Sequence, residues 1–225
     1  MAVEKWVTKS VPLNPDHAFS LLEPVLYEQD GFTTARQAEL VGCPRSALAH
    51  LVQLGRVERV RRGVFQSSWG APVMPRVESE LYADFLLLDG GRLPWDRRDA
   101  IVVVSHASAA RMLRVGVLPA DRHEFTSPVR RSTSQQTIEL RVAPLDPRDW
   151  EWMLDGRIAV TRAERTIVDL ALTGTSRDYL RRALRDARRR DLLDEDELAR
   201  VIDRRIASAN RSSIVWLRDE LQAGG

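Results

Sequence analysis

No stretch narrows the architecture of this chain as far as residues 31–65, GFTTARQAELVGCPRSALAHLVQLGRVERVRRGVF. Thr33 is a good cap for a short helix reaching Leu40. Gly42, Cys43 and Pro44 then break that helix, and a proline suits the first turn of the next one. The second helix stops at Gly55, a residue type that accepts the left-handed conformation beyond a helix end. At 3.6 residues per turn, Ala47, Leu48, Leu51 and Val52 share one side of it, and Ser46, Ala49, His50 and Gln53 share the other. Residues 56–65 follow, with β-branched side chains around a turn that Gly63 can close. Two helices and a hairpin in this order predict a winged helix-turn-helix.

The charge of this stretch is one-sided. Arg36, Arg45, Arg56, Arg59, Arg61 and Arg62 stand against only Glu39 and Glu58. In a winged module the hairpin arginines would contact phosphate, while Ser46, Ala49, His50 and Gln53 are small or polar enough to lie in a major groove. The candidate DNA-binding set is therefore Arg36, Arg45, Ser46, Ala49, His50, Gln53, Arg56, Arg59, Arg61 and Arg62. Helix pairs with a hairpin also serve as protein-interaction modules, and arginines also serve as solvated surface. The clustering of Arg56, Arg59, Arg61 and Arg62 in the hairpin favours DNA.

At 225 residues the chain is long enough for two domains. Hydrophobic and charged contents of 44% and 29% are those of a soluble globular protein. With a formal net charge of only +2, affinity for nucleic acid has to come from a local patch. Lys5 and Lys9 are the only lysines, so a phosphate-loop, Schiff-base or nuclease-core lysine has no candidate beyond residue 9. The single cysteine, Cys43, excludes a disulfide framework and a thiolate cluster. His17, His50, His106 and His123 lack metal-ligand spacing, so neither metal nor cofactor is expected. The first residues lack the apolar core of a signal peptide, and no run approaches the ~20 apolar residues of a membrane span. The expectation is a cytoplasmic protein.

Asn14 and Pro15 read as cap and first turn of a helix to about Gln29, with Ala18, Leu21, Leu22, Val25 and Leu26 as its apolar stripe. Residues 67–75 are rich in turn formers and read as a linker. This divides the chain into residues 1–70, a DNA-binding domain, and residues 71–225. The second part alternates: a helix over 77–88 ended by Asp89, Gly90 and Gly91, a buried strand at 100–104, and a helix capped by Ser105. Strands at 124–126, 136–142 and 157–160 precede a helix over 162–172 opened by a capping box of Thr161 and Glu164. The last fifty or so residues read as helices, with stripes at Leu180 and Leu184, then Leu198, Val201 and Ile202, then 214–221. The fold class is α+β: an N-terminal winged helix-turn-helix, then a mixed α/β C-terminal domain ending in helices.

Catalytic constellations are weak. Ser105 and His106 are adjacent, and adjacent residues point apart, which favours Ser105 as a helix cap over a nucleophile. Arg165 and Asp169 are spaced for an intrahelical ion pair. Glycine-rich phosphate loops, nucleophile elbows and His-x-Glu motifs are absent, and no enzyme is indicated. The helix read at 178–190 carries Arg181, Arg182, Arg185, Arg188, Arg189 and Arg190 outside an apolar face. Within that helix Arg185 and Arg188 have no acid at i±3 or i±4. Either they are neutralised by the acids at 194–197 or they form a basic face for an acidic partner.

The blocks GFTTARQAELVGCPRSALAHLVQLGRVERVRRGVF, VVVSHASAARML and VTRAERTIVDLAL, in that order and spacing, resemble the AbiEi-type antitoxin family of abortive-infection (type IV) toxin–antitoxin systems. The resemblance runs from about residue 15 to the C-terminus. It implies a winged helix that binds inverted repeats in double-stranded promoter DNA and represses its own operon. It also implies that residues 71–225 are an antitoxin domain against a nucleotidyltransferase-fold toxin, functionally and without need of a stable complex. Arg185 and Arg188 are then candidates for the antitoxin surface. Some relatives carry a nuclease-like extension, which the scarcity of lysine here argues against. Two other readings stand beside the antitoxin: a stand-alone winged-helix regulator with a ligand-sensing or dimerising C-terminal domain, and a nuclease delivered to DNA by the winged helix.

Overall fold

Asn14 opens the first helix: its side chain accepts a hydrogen bond from the Asp16 backbone N–H at 2.8 Å, and Pro15 occupies the first turn of α1 (Pro15–Glu28). The computed structural model describes residues 13–69, 74–119, 121–206 and 211–223, and divides into two units, Met1–Asp96 and Arg97–Gly225. In the first, β1 (Phe32–Thr34) leads into α2 (Ala35–Leu40), α3 (Arg45–Gln53), the hairpin β2 (Val57–Arg61) and β3 (Val64–Ser67), and α4 (Arg76–Asp89). The sheet order is β1-β3-β2, all antiparallel. Gly63, at φ +83°, makes the hairpin turn, and Gly55, at φ +67°, follows the end of α3. This is a winged helix-turn-helix.

The apolar faces meet as expected. Ala18, Leu22 and Leu26 of α1 pack with Ala38, Cys43, Ala47, Leu48, Leu51, Val57 and Phe65. Each large side chain among them contributes about 1.5–3 kcal/mol on burial. Burial also pushes the Cys43 thiol pKa up. One cap differs from expectation: Thr34, not Thr33, opens α2. Thr34 Oγ1 accepts from the Gln37 N–H at 3.1 Å, and Gln37 Oε1 accepts from the Thr34 N–H at 2.9 Å. Pairing with β3 draws Thr33 into the sheet opposite Phe65, and only Thr34 has a glutamine three residues on.

The unit boundary also lies elsewhere than the turn-rich stretch near residue 70. Helix α4 belongs with the winged module. Tyr82 meets Phe32 of β1 edge-on at 5.4 Å, Thr34 Oγ1 donates to the Gly90 carbonyl at 2.7 Å, and Gln37 Nε2 donates to the Arg92 carbonyl at 2.8 Å. The division therefore falls between Asp96 and Arg97. Turn-forming composition marks a change of chain direction, and packing alone decides which side the next helix joins.

In the second unit, β4 (Val103–Val104), α5 (His106–Leu113), β5 (His123–Ser127), β6 (Ile138–Val142), β7 (Trp150–Met153) and β8 (Ile158–Thr161) precede the helices α6 (Ala163–Leu172), α7 (Arg177–Arg189), α8 (Glu195–Ile206) and α9 (Arg211–Ala223). Among the described residues the sheet order is β6-β5-β4-β8-β7, with β4–β8 and β5–β6 parallel and the other pairs antiparallel. The expected strand at 100–104 pairs only at Val103 and Val104. Strand β7 was not anticipated, although Asp155 and Gly156 between β7 and β8 form a recognisable hairpin signal. Ile167, Val168 and Ala171 of α6 pack with Ala110 and Leu113 of α5, Leu180 and Leu184 of α7, Leu198 and Ile202 of α8, and Leu217 of α9. Gly116, at φ +66°, lets the loop after α5 close on α7: an added Cβ would lie 3.4 Å from Ala183 Cβ.

Two expected caps are replaced by long-range partners. Ser105 makes no side-chain cap, and the Ala107 N–H instead donates to Glu124 Oε2 at 2.8 Å. The expected Thr161–Glu164 box is absent, since Thr161 Oγ1 lies 2.7 Å from Thr166 Oγ1 and Glu164 Oε1 accepts from the Asp194 N–H at 2.8 Å. Burial of α6 explains this: its polar side chains are surrounded by other elements and take partners from them.

Candidate nucleic-acid interface

The small polar side of α3 faces outward. Ser46, Ala49, His50 and Gln53 are exposed while Ala47, Leu48 and Leu51 are buried and Val52 packs against the core. Arg45, at the first turn, is exposed, and its Nε lies 2.6 Å from Glu39 Oε1. Arg36 of α2 reaches the same carboxylate at 3.6 Å. Exposed pairs of this kind contribute at most about 1 kcal/mol, so a phosphate can displace the carboxylate at little cost.

The four hairpin arginines do not form one cluster. Arg59 on β2 and Arg62 at the turn are exposed and make no ion pair with a described residue. Arg56 lies 2.6 Å from Asp16 Oδ1, and its guanidinium sits 5.9 Å from the centroid of the exposed Trp69 ring. Arg61 turns inward, its Nε donating at 2.8 Å to Oδ1 of Asp84, a wholly buried residue of α4. A bulge at Val60 separates the two directions, because Arg59 pairs with Phe65 and Arg61 with the very next residue, Val64. Alternation along the strand predicts Arg59 and Arg61 on one face. The extra residue undoes that alternation.

Residues Arg185 and Arg188, both on α7, also part company. Arg188 Nε lies 2.6 Å from Glu195 Oε1 at the start of α8, and this partner raises its pKa. Arg185 makes no ion pair with a described residue and lines a groove of about 190 Å³ with Arg181, Leu184, Arg188 and Glu220.

Sequence reasoning missed the buried polar network of the second unit. Arg165, only 1% exposed, donates to Asp169 Oδ2 at 2.8 Å, Asp149 Oδ2 at 2.5 Å and the Pro144 carbonyl at 3.0 Å. Arg204 of α8 donates to Asp149 Oδ1 at 2.8 Å, and Arg205 approaches Asp169 at 3.5 Å. The i,i+4 spacing announced only the first of these contacts. Burial pushes the Asp169 carboxyl up against the pull of Arg165 and Arg205.

Beside this network Ser105 and His106 do meet, contrary to expectation: Ser105 Oγ lies 2.8 Å from His106 Nδ1 and accepts from Thr126 Oγ1 at 2.9 Å. His106 has φ +51°, a left-handed conformation that accompanies its contact with the preceding residue. Burial, reinforced by Arg141, Arg165 and Arg205, pushes the His106 pKa down to about 3. Both residues are buried and the imidazole is neutral at pH 7, so this pair braces the strand-to-helix turn.

An outward polar helix behind a basic wing defines the DNA-binding module of a transcriptional regulator. Residues 25–68, which span the winged helix-turn-helix, match the family described as "Transcriptional regulator, AbiEi antitoxin". The match lies within the N-terminal unit. No curated protein matches the chain. The crystal structure of the RV2827C protein from Mycobacterium tuberculosis is similar, with a TM-score of 0.57 and 15% identity over 94% of this chain and 79% of that one. At that identity the likeness is one of fold alone. Among the described residues no helix is long and apolar enough to cross a membrane.

Proposed function

We propose that this protein is an autoregulating antitoxin. Its winged helix binds inverted repeats in its own promoter, and its second unit antagonises a nucleotidyltransferase-like toxin. In this reading Arg45, Ser46, Ala49, His50 and Gln53 approach base edges, and Arg36, Arg56, Arg59 and Arg62 approach phosphates. Arg185 is the leading candidate for the surface that opposes the toxin. The observation that carries the reading is the exposed Ser46, Ala49, His50 and Gln53 face of α3 in a unit whose sequence matches AbiEi regulators.

The DNA half is tested by selecting preferred sites from random duplexes with the wild-type chain and with Ser46→Ala and His50→Ala. Each lost base contact costs ~1–3 kcal/mol, so the preferred sequence should relax at one position of each half-site. An identical preferred sequence for all three proteins would remove these side chains from the interface. For the antitoxin half, the chain is co-expressed with a growth-arresting nucleotidyltransferase-fold toxin; restored growth is the expected outcome, and unrelieved arrest would count against this half of the reading.

A further inference from the structure

We infer that Arg61 is a positioning residue of the wing, clamping the β2–β3 hairpin to α4 through Asp84, and does not itself grip phosphate. This rests on the DNA-binding reading of the first unit. Three observations converge on it. The Val60 bulge takes Arg61 out of the alternation that would set it beside Arg59. The Arg61 guanidinium then donates to Asp84 Oδ1 at 2.8 Å and, through Nη1, to the Val60 carbonyl at 3.0 Å, so it binds both α4 and the bulge. Asp84 is wholly buried between Ala83 and Phe85, which are buried too.

A charge-assisted hydrogen bond to a buried carboxylate is not readily replaced by water, so Arg61 is held more firmly than an arginine paired at the surface. Exchanging that contact for a phosphate would give up the tie between the hairpin and α4. The consequence for the wing is a division of roles: Arg59 and Arg62 supply the exposed positive charge, and Arg61 sets where the hairpin stands relative to α3. Helix α4 thereby becomes part of the DNA-reading apparatus.

The test uses the full chain. Hydrogen exchange of the free protein comes first, comparing wild type with Arg61→Gln and with the double variant Arg61→Gln/Asp84→Asn, which removes both charges of the pair. The clamp requires faster exchange over residues 57–67 in both variants, with α3 unchanged. Wild-type protection of the hairpin in both would overturn it, whatever happens with DNA. Affinity for a promoter duplex and for an unrelated duplex is then measured across a salt series. Arg59→Gln and Arg62→Gln should each make the slope of log affinity against log salt shallower by about 1 and weaken both duplexes alike. Arg61→Gln should leave the slope as in wild type and reduce the promoter-to-unrelated ratio by about fivefold or more. Asp84→Asn should reproduce that loss, and the double variant should be no worse than either single change. A shallower slope for Arg61→Gln, equal to that of Arg59→Gln, would make Arg61 a phosphate contact and defeat the inference. If the wild-type chain bound neither duplex while the hairpin still loosened, the DNA-binding reading would fail and the clamp would stand.

Discussion

At the residue scale, the most consequential placements are charged groups whose partners lie far away in sequence. His106 is the clearest case, buried among Arg141, Arg165 and Arg205 with its pKa pushed down to about 3 from an ordinary 6.5. Between those two values the unfolded chain binds a proton that the folded chain does not. Stability therefore falls as pH drops through 6.5 toward 3, by an amount on the order of a few kcal/mol for this group. Burial pushes the Glu164 and Asp169 carboxyls up, and their effect runs the opposite way below their folded pKa values. A comparison with His106→Gln isolates the histidine: its melting temperature should decline less between pH 7 and pH 4.5 than that of the wild type. Equal declines would mean that His106 takes up its proton without opposing the fold. Sequence gave no access to this, because a histidine beside a serine carries no record of the arginines that surround it.

At the element scale, α4 and α7 show the two ways in which a helix read from periodicity acquires its role. The pattern at 77–88 and its stop at Asp89, Gly90 and Gly91 located α4 well, yet not the body to which it belongs. Gly90 stands against β1 so closely that an added Cβ would meet Thr34 Cγ2 at 2.4 Å. A fragment ending at residue 69 should therefore expose Phe32, bind a hydrophobic dye and melt well below a fragment ending at residue 96. Matching thermal transitions would show α4 to be dispensable. For α7, spacing along the helix singled out Arg185 and Arg188 together, and only the fold of α8 separates them by offering Glu195 to Arg188. Arg185→Glu should weaken growth rescue against the toxin and leave promoter binding within about twofold, since it lies outside the winged unit. Arg188→Glu, set beside Glu195, should chiefly lower the melting temperature of the second unit. Full rescue by a folded Arg185→Glu chain would return α7 to ordinary solvated surface.

At the scale of the whole molecule, the two units should separate in function at the junction of Asp96 and Arg97. Residues 1–96 are expected to bind promoter DNA without protecting cells, and residues 97–225 to fold alone and restore growth. Circular dichroism, promoter binding and growth rescue of the two halves check this. Rescue that tracked the N-terminal half would reverse the assignment. The buried Arg165, Asp149 and Asp169 network supports autonomy of the second half, because it ties the turn before β7, α6 and α8 together from within that unit.

The winged helix-turn-helix was legible in the sequence because its determinants are local. A cap, a glycine beyond a helix end, a 3.6-residue stripe and a hairpin glycine each act over a few residues, and they agree. The outward face of α3 followed from the same periodicity. Tertiary structure decided what depends on contacts between distant segments: which unit α4 joins, whether Arg61 faces solvent or Asp84, and which arginine of α7 is neutralised. It also decided that Glu124 rather than Ser105 caps α5. Helical and strand periods determine which side chains share a face, but the partner of a charge is set by the elements packed against that face. Burial makes such choices binding, since a buried carboxylate or guanidinium without its counterpart costs several kcal/mol.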